Sequence, residues 1–259
     1  MARKKTEALT PPAVFKRLLS AAGDELVLVG GQALAFWVNR YDLALPPDVM
    51  AISADTDFLT SSANDRAAVQ RMAAVLRGKT QFPNSRALTA LVGQAYLDVN
   101  DDEFINVDVI FKVIGLPPKA VRARAVRVTV DEMEFAVMHP LDVLRSRLAN
   151  LYKLADKQTP KGVMQLALAV DVGREFLRSA ARETTPSPDT TRSPLQPFVT
   201  EIEKMAREDA GRKVARRFHI HVADAIDPCL IPAGPFWTRK WPELVKLMSE
   251  SYAGQITPR

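Results

Sequence analysis

Three aspartates in two otherwise apolar segments are the residues of this sequence whose types and spacing point most directly to chemistry. Asp55 and Asp57 are separated by one residue, and Asp108 stands between Val107 and Val109. Side chains two apart on a strand project from the same face, so Asp55 and Asp57 share a face if their segment is extended, and Asp108 can join them from a neighbouring strand. A carboxylate between valines is costly to bury without a cation or several donors. The sequence therefore predicts three carboxylates that converge on a divalent metal ion.

The residue types that can ligate metals limit the kind of metal ion this sequence could hold. Cys229 is the only cysteine, and three histidines without other thiols make no zinc-ligand pattern. An oxygen-ligated metal ion is therefore the kind left open.

A Gly-Gly pair lies upstream of the aspartates. Residues 25–29 predict a short strand and residues 32–40 predict a helix, so Gly30 and Gly31 form the turn between them. Without Cβ atoms the backbone can approach a phosphate closely, and the amides that open the helix add positive potential. A Gly-Gly pair is also an ordinary tight turn, and Asp-x-Asp also initiates turns and caps helices, so neither motif decides the function alone.

Residues 1–139 predict a mixed α/β domain that positions these motifs. Thr10 is the expected cap of a first helix, and either Asn64 or Ser62 the cap of a later one. The predicted helices are 10–23, 32–40 and 64–78, and the predicted strands are 25–29, one within 48–60, 88–97, 104–113, 121–130 and 133–138. Polar turns predict that the last four strands form two hairpins.

Residues 140–259 predict a helical C-terminal domain, because apolar residues recur there at intervals of three and four. A segment rich in proline, serine and threonine, residues 182–197, predicts a loop or linker. The basic stretch 204–217 predicts a solvated helix face, with a polyanion such as tRNA as the alternative partner.

The order and form of these motifs resemble the signature of DNA polymerase beta-like nucleotidyltransferases. The resemblance rests on the glycine pair after a strand and on two runs, Ser53-Ala54-Asp55-Thr56-Asp57-Phe58 and Val107-Asp108-Val109. The opening Val-Gly-Gly-Gln-Ala-Leu-Ala and the Ser-x-Asp-x-Asp-Phe form are most similar to the AbiEii-type abortive-infection and toxin nucleotidyltransferases. The resemblance covers residues 25–113 well, and it implies an α+β fold in which a polymerase-beta-like core, a mixed sheet flanked by helices, precedes a helical C-terminal half.

The resemblance also implies an activity, the transfer of a nucleoside monophosphate from a nucleoside triphosphate such as ATP to an acceptor. The expected cofactor is Mg²⁺, which takes oxygen ligands and is normally bound together with substrate phosphates. Asp55 and Asp57 would ligate the Mg²⁺ ion on the triphosphate, and Asp108 would join them at a second ion and help to activate the acceptor hydroxyl. Gly30 and Gly31 would hold the phosphates. The expected additional nucleotide contacts are Gln32, Ser53 and Lys153, although lysines at a helix end are often only solvated.

The helical half departs from the family pattern. AbiEii-type relatives supply a lysine there and later an aspartate, whereas this chain has Arg145 and Arg147 on the comparable helix and Gln165 where an acid would stand. An alternative hypothesis is therefore a catalytically inactive module on the same fold that binds nucleotide or RNA.

The acceptor and the partners are not specified by any motif. RNA, a protein hydroxyl or a small molecule suits this scaffold, and the toxin-like resemblance favours RNA or protein and implies an antitoxin partner. The net charge of +5 favours an anionic partner, although many proteins with such a surplus bind no nucleic acid. No window approaches the roughly 20 apolar residues of a membrane span, so we expect no membrane partner and a cytoplasmic protein.

Overall fold

The computed structural model describes residues 5–46, 52–84, 86–183, 193–232 and 234–251. It confirms an α+β architecture in which a mixed, open sheet is flanked by helices. Contacts divide the chain into two compact units, Met1–Arg40 with Ala44–Ser146, and Tyr41–Leu43 with Arg147–Arg259. The predicted domain boundary at residues 139 and 140 coincides with the start of a helix that begins in the first unit and ends in the second.

The sheet belongs to the first unit and has eight strands among the described residues. They are β1 (Thr6–Glu7), β2 (Val27–Val29), β3 (Thr56–Leu59), β4 (Lys79–Gln81), β5 (Leu91–Asp98), β6 (Glu103–Ile110), β7 (Val126–Val130) and β8 (Met133–Val137). Their spatial order is β4-β5-β6-β3-β2-β8-β7, and β1 pairs with β6. Strand β3 is parallel to β6 and antiparallel to β2, which brings the two aspartate segments and the strand before the glycine pair side by side.

Nine α-helices are present in the described ranges, and none of them is long and apolar enough to cross a membrane. They are α1 (Pro12–Ala22), α2 (Gly30–Arg40), α3 (Arg66–Leu76), α4 (Pro118–Arg124), α5 (Pro140–Lys153), α6 (Pro160–Glu183), α7 (Gln196–Arg207), α8 (Asp209–Phe218) and α9 (Trp241–Ser251). Both predicted hairpins are confirmed, since β5 pairs with β6 and β7 with β8 in antiparallel register.

The predicted helix caps are wrong by one to three residues. Helix α1 is preceded by Pro11 rather than Thr10, because Pro12, whose ring fixes a φ suited to a helix, takes the first helical position. Helix α3 is capped by Asp65 rather than Asn64 or Ser62, and the Asp65 carboxylate accepts a helix amide at 3.1 Å. A carboxylate at this position also interacts favourably with the positive end of the helix dipole.

The segment predicted as one strand over 121–130 is divided between α4 and β7, so its first half is wrong. Pro118 opens the helix, and the alanines and arginines that follow have high helix propensity. Residues 121–125 alternate between apolar and basic residues as a strand would, so the period of two alone does not distinguish this part of the helix from the strand that follows. Two other predictions fall partly on residues outside the described ranges, namely 48–51 of the second strand and 184–192 of the loop.

The core of the first unit lies where helices cover the sheet. Leu18 of α1, Leu28 of β2, Phe58 of β3 and Met72 of α3 are completely buried. Packing of these side chains stabilises the positions of β2 and β3. It thereby also positions the ends of these strands, where the polar residues lie.

Candidate active site

Strand β2 ends in a sharp turn at Gly30 that opens helix α2 directly. Gly30 has φ 68°, a left-handed conformation that glycine adopts without penalty. The first turn of α2 has no acidic residue, and the first amides of any helix lack partners within the helix. This end of α2 is therefore suited to an anion.

The carboxylate of Asp57 occupies the space above Gly30. Asp57 is the register partner of Val29, the last residue of β2. A Cβ atom built on Gly30 would lie 1.8 Å from Asp57 Oδ2 and 2.7 Å from Asp57 Cγ. The position requires glycine for two reasons, the backbone conformation and the close approach of this carboxylate.

Gly31 has the same relation to Ser53. A Cβ atom on Gly31 would lie 2.2 Å from Ser53 Oγ and 2.3 Å from Ser53 Cβ. Ser53 is buried, its hydroxyl donates to the Asp55 carboxylate, and its carbonyl accepts a 2.9 Å hydrogen bond from Gln32 Nε2. The segment that carries Asp55 is thus held against the start of α2 by contacts that need a glycine at 31.

Asp57 and Asp108 are direct register partners on the parallel strands β3 and β6. Paired residues on adjacent strands project to the same face, so the two carboxylates share one face of the sheet. Asp55 precedes β3, which begins at Thr56. The prediction that Asp55 and Asp57 lie together on a strand is therefore wrong, and Asp55 instead comes from the segment before it.

Two amides hold one oxygen of Asp108. Gln94 Nε2 donates to Asp108 Oδ1 at 2.9 Å, and Asn106 Nδ2 donates to the same atom at 2.8 Å. Burial raises the pKa of the Asp108 carboxyl above its usual range, these two hydrogen bonds oppose the rise, and the charge of Asp55 adds to it. Asp55 is therefore close enough to Asp108 for their charges to repel.

Gln94 and Asn106 are the site residues that sequence reasoning missed. Asn106 is two residues before Asp108 on the same strand, so the period of two places both side chains on one face. Gln94 is the register partner of Asp108 across the hairpin. The period of two could have identified Asn106 from sequence, whereas Gln94 depends on a register that the hairpin turn alone does not fix.

The metal prediction fits the chemistry of these side chains but is not confirmed by their arrangement. Within the described ranges, no three histidine, cysteine, aspartate or glutamate side chains are assembled to hold a metal ion. The candidate ligands are nevertheless all oxygen donors, the kind that Mg²⁺ takes. The mutual repulsion of Asp55 and Asp108, together with the desolvation of Asp108, is what a bound cation would relieve. Convergence of all three aspartates on one metal ion stays a prediction.

Lys153 belongs to a different unit from the residues of this arrangement. It is the exposed last residue of α5 and belongs to the second unit, whereas the glycine turn and the aspartates belong to the first. Its contact with a triphosphate stays a prediction. Gln32 is placed at the turn, but the hydrogen bond that the structure gives its side-chain amide goes to the Ser53 carbonyl.

No protein-family model matches this chain, and a search of curated proteins found no significant match. Inferences about function therefore depend on the residues and geometry described above.

Proposed function

We propose that this protein is a metal-dependent nucleotidyltransferase with a polymerase-beta-like core. The observation that carries the proposal is the pairing of Asp57 with Asp108 on adjacent parallel strands, with Asp57 packed over the glycine turn that opens α2. This arrangement combines a potential phosphate site and carboxylates in one place. The motifs that resemble the AbiEii-type enzymes are the same residues.

The glycine turn would bind the triphosphate of the donor nucleotide. The first amides of a helix have no partner within the helix and can donate to phosphate oxygens. The first turn of α2 itself carries no acidic side chain that would repel them. Gly31 keeps Ser53 and hence Asp55 close to this helix end. The phosphates and the Asp55 and Asp57 carboxylates would then be neighbours, a placement that needs a cation between them.

Asp55, Asp57 and Asp108 would hold Mg²⁺, expected as two ions. When bound, the metal ions would supply positive charge that stabilises the negative charge of the phosphates during an in-line displacement. Asp108 would in addition accept the proton of the acceptor hydroxyl. Its raised pKa makes it a stronger base than an ordinary aspartate, and Gln94 and Asn106 fix its orientation while they engage only one of its two oxygens.

A transfer assay tests this activity. The protein is incubated with Mg²⁺, each α-labelled nucleoside triphosphate in turn, and cellular RNA or protein, and label that joins a macromolecule is measured. Asp57→Asn should reduce transfer by more than about a hundredfold, because it removes a ligand charge. Asp101→Asn, in the exposed turn between β5 and β6, is the matched control and should transfer normally. Equal transfer by Asp57→Asn and the unmodified protein would contradict the proposal.

A second candidate function is an inactive module that still binds nucleotide or RNA. It is favoured by the contact between Arg147 and Gln165, whose side chains hydrogen-bond at 3.1 Å in the second unit. These are the positions at which the family pattern has a lysine and an acid, and here the acid is replaced by a neutral amide. Tight nucleotide binding without transfer to any RNA or protein fraction would support this candidate over the enzyme.

A further inference from the structure

A cavity in the second unit has the features of a small-molecule site. Helix α7, together with residues 231–232 and 234–240, lines a space of about 210 Å³, and we call this space the α7 cavity. A cavity of about 150 Å³ is large enough to bind benzene. The α7 cavity is therefore large enough for one ring that carries a short polar group.

One face of α7 forms a polar entrance and a charged inner end. Gln196, Thr200 and Glu203 are spaced by four and three residues, so they share that face. Gln196 and Thr200 are exposed, whereas Glu203 is buried. A ligand that enters between the first two side chains would meet the carboxylate of the third.

The remaining wall is mainly apolar. Val199 contributes from α7, and Ile231, Pro235 and Phe236 contribute from the opposite segment. Phe236 is fixed in place because its ring packs edge to face against Trp237, with centroids 5.6 Å apart. This wall suits a flat apolar or aromatic group, and an aromatic ring can also attract a cation.

The Glu203 carboxylate has only half of its hydrogen-bonding capacity in use. Its side chain is 9% exposed, and Lys240 Nζ lies 3.0 Å from Oε2. The other oxygen, Oε1, is buried and accepts no hydrogen bond from the part of the chain that the structure describes. Leaving a buried carboxylate oxygen unsatisfied is costly, so a donor brought by a ligand would be stabilising there.

We propose that the α7 cavity binds a compact organic cation, an amidinium or primary ammonium group attached to one aromatic ring. Its N–H groups would donate to Glu203 while the ring packs against Val199 and Phe236. The terminal torsion of a glutamate side chain is broad, so a small rotation turns Oε1 toward such a donor. An anionic ligand does not suit the cavity, because it would be repelled by the Glu203 carboxylate. The Lys240 ammonium that lines the cavity is already paired with Glu203.

This site is independent of the proposed transfer chemistry, since all of its residues belong to the second unit. The overall charge of +5 disfavours nonspecific cation binding, so a saturable signal from a cation would report a specific site.

The test uses the full-length chain and benzamidine as the probe, with benzoate as the probe of opposite charge and the same ring. Calorimetric titration and thermal unfolding are measured with each. We expect saturable benzamidine binding with a Kd of about 1 mM or lower and none for benzoate. No saturable benzamidine binding, or equal binding of benzoate, would overturn the proposal.

Three variants assign the binding to Glu203. Glu203→Gln should weaken benzamidine binding about tenfold or more, because a charge-assisted hydrogen bond is lost. Lys240→Met should strengthen it, because the buried carboxylate then lacks its internal cation. Glu201→Gln, the same substitution on the same helix outside the cavity lining, should leave it unchanged.

Weaker benzamidine binding by Glu203→Gln and stronger binding by Lys240→Met would together indicate a ligand site. If the two residues formed only a structural ion pair, either substitution would destabilise the protein without this opposite effect on binding. If Glu203→Gln does not fold, Lys240→Met decides. Unchanged or weaker benzamidine binding by folded Lys240→Met would overturn the proposal, as would a Glu201→Gln effect equal to that of Glu203→Gln.

Discussion

Asp57 lies over Gly30 so closely that any side chain at position 30 would collide with the Asp57 carboxylate. The distance from a built Cβ atom to Asp57 Oδ2 is 1.8 Å. Gly30 and Asp57, which are far apart in the sequence, thus depend on each other sterically. This dependence provides a way to test the site by substitution on the glycine side, without changing a carboxylate.

Gly30→Ala should displace Asp57 and abolish triphosphate binding. It should also destabilise the protein. The loss should exceed the cost of about 1–2 kcal/mol for an alanine in the left-handed conformation, because the collision adds to the backbone strain. Urea unfolding and nucleotide titration measure the two effects. Gly23→Ala is the matched control, since Gly23 has φ 54° and a Cβ atom there meets nothing within 4 Å. The steric account is wrong if Gly30→Ala binds nucleotide as well as Gly23→Ala does.

Gly31→Ala should be partly rescued by Ser53→Gly. The added Cβ atom meets only the Ser53 side chain closely, and the next nearest atom is Ser53 Cα at 3.6 Å. The free energy of unfolding of the double variant should therefore exceed the additive expectation by about 1 kcal/mol or more. Unfolding of the two single variants and the double variant gives this coupling energy. Strict additivity would show that the two residues do not contact each other.

The sequence could predict those parts of the site that depend on local contacts. The glycine turn follows from an apolar run that stops at Gly30, and the hairpin that carries Asp108 follows from a polar turn between two alternating segments. The pairing of Asp57 with Asp108 does not follow, because it joins strands separated by α3, β4 and β5. The register of such a pair is set by packing over the whole sheet.

Asp108→Asn should stabilise the folded protein at neutral pH although it removes a proposed catalytic group. Burial raises the folded-state pKa of Asp108 above 3.8, so the ionised form is disfavoured in the folded state. The stability linked to Asp108 is present at low pH and is lost as the pH rises through this raised pKa. A gain on the order of 1 kcal/mol would raise the Tm by about 2–4 °C.

The melting temperatures of both proteins between acidic and neutral pH check this prediction. The advantage of Asp108→Asn should shrink as the pH falls toward 3.8, where the native aspartate also becomes neutral. Asp101→Asn, which changes an exposed aspartate, should melt like the unmodified protein at every pH. A lower Tm for Asp108→Asn at pH 7 would show that the carboxylate is stabilising and that its desolvation is not the dominant effect.

Acid should destabilise each unit through one buried histidine. Burial lowers the pKa of His139 to about 3 and that of His221 to about 4, both from 6.5. Above pH 6.5 each neutral histidine makes its full contribution to the free energy of unfolding. This contribution is lost as the pH falls, and the loss is about 2 kcal/mol per histidine at pH 5. His139→Asn and His221→Asn should reduce this acid sensitivity, because an asparagine oxygen can still accept the backbone N–H that each histidine accepts.

Urea unfolding at pH 7 and pH 5 measures the effect. His219→Asn is the control, since His219 is exposed and asparagine tolerates its left-handed backbone. This variant should keep the full acid sensitivity. Identical losses of stability between pH 7 and pH 5 in all three variants would show that protonation of the buried histidines does not drive the acid effect.

The affinity of the protein for a nonhydrolysable nucleoside triphosphate, with Mg²⁺ and with a chelator, tests the central claim most directly because it requires no acceptor. We predict that Mg²⁺ tightens binding and that Asp57→Asn reduces the affinity about tenfold or more in Mg²⁺, since a ligand charge is lost. The chelator should make the two proteins alike, and Asp101→Asn should bind like the unmodified protein throughout. The account is contradicted if affinity is the same with and without Mg²⁺, or if Asp57→Asn binds the magnesium-bound nucleotide as tightly as the unmodified protein.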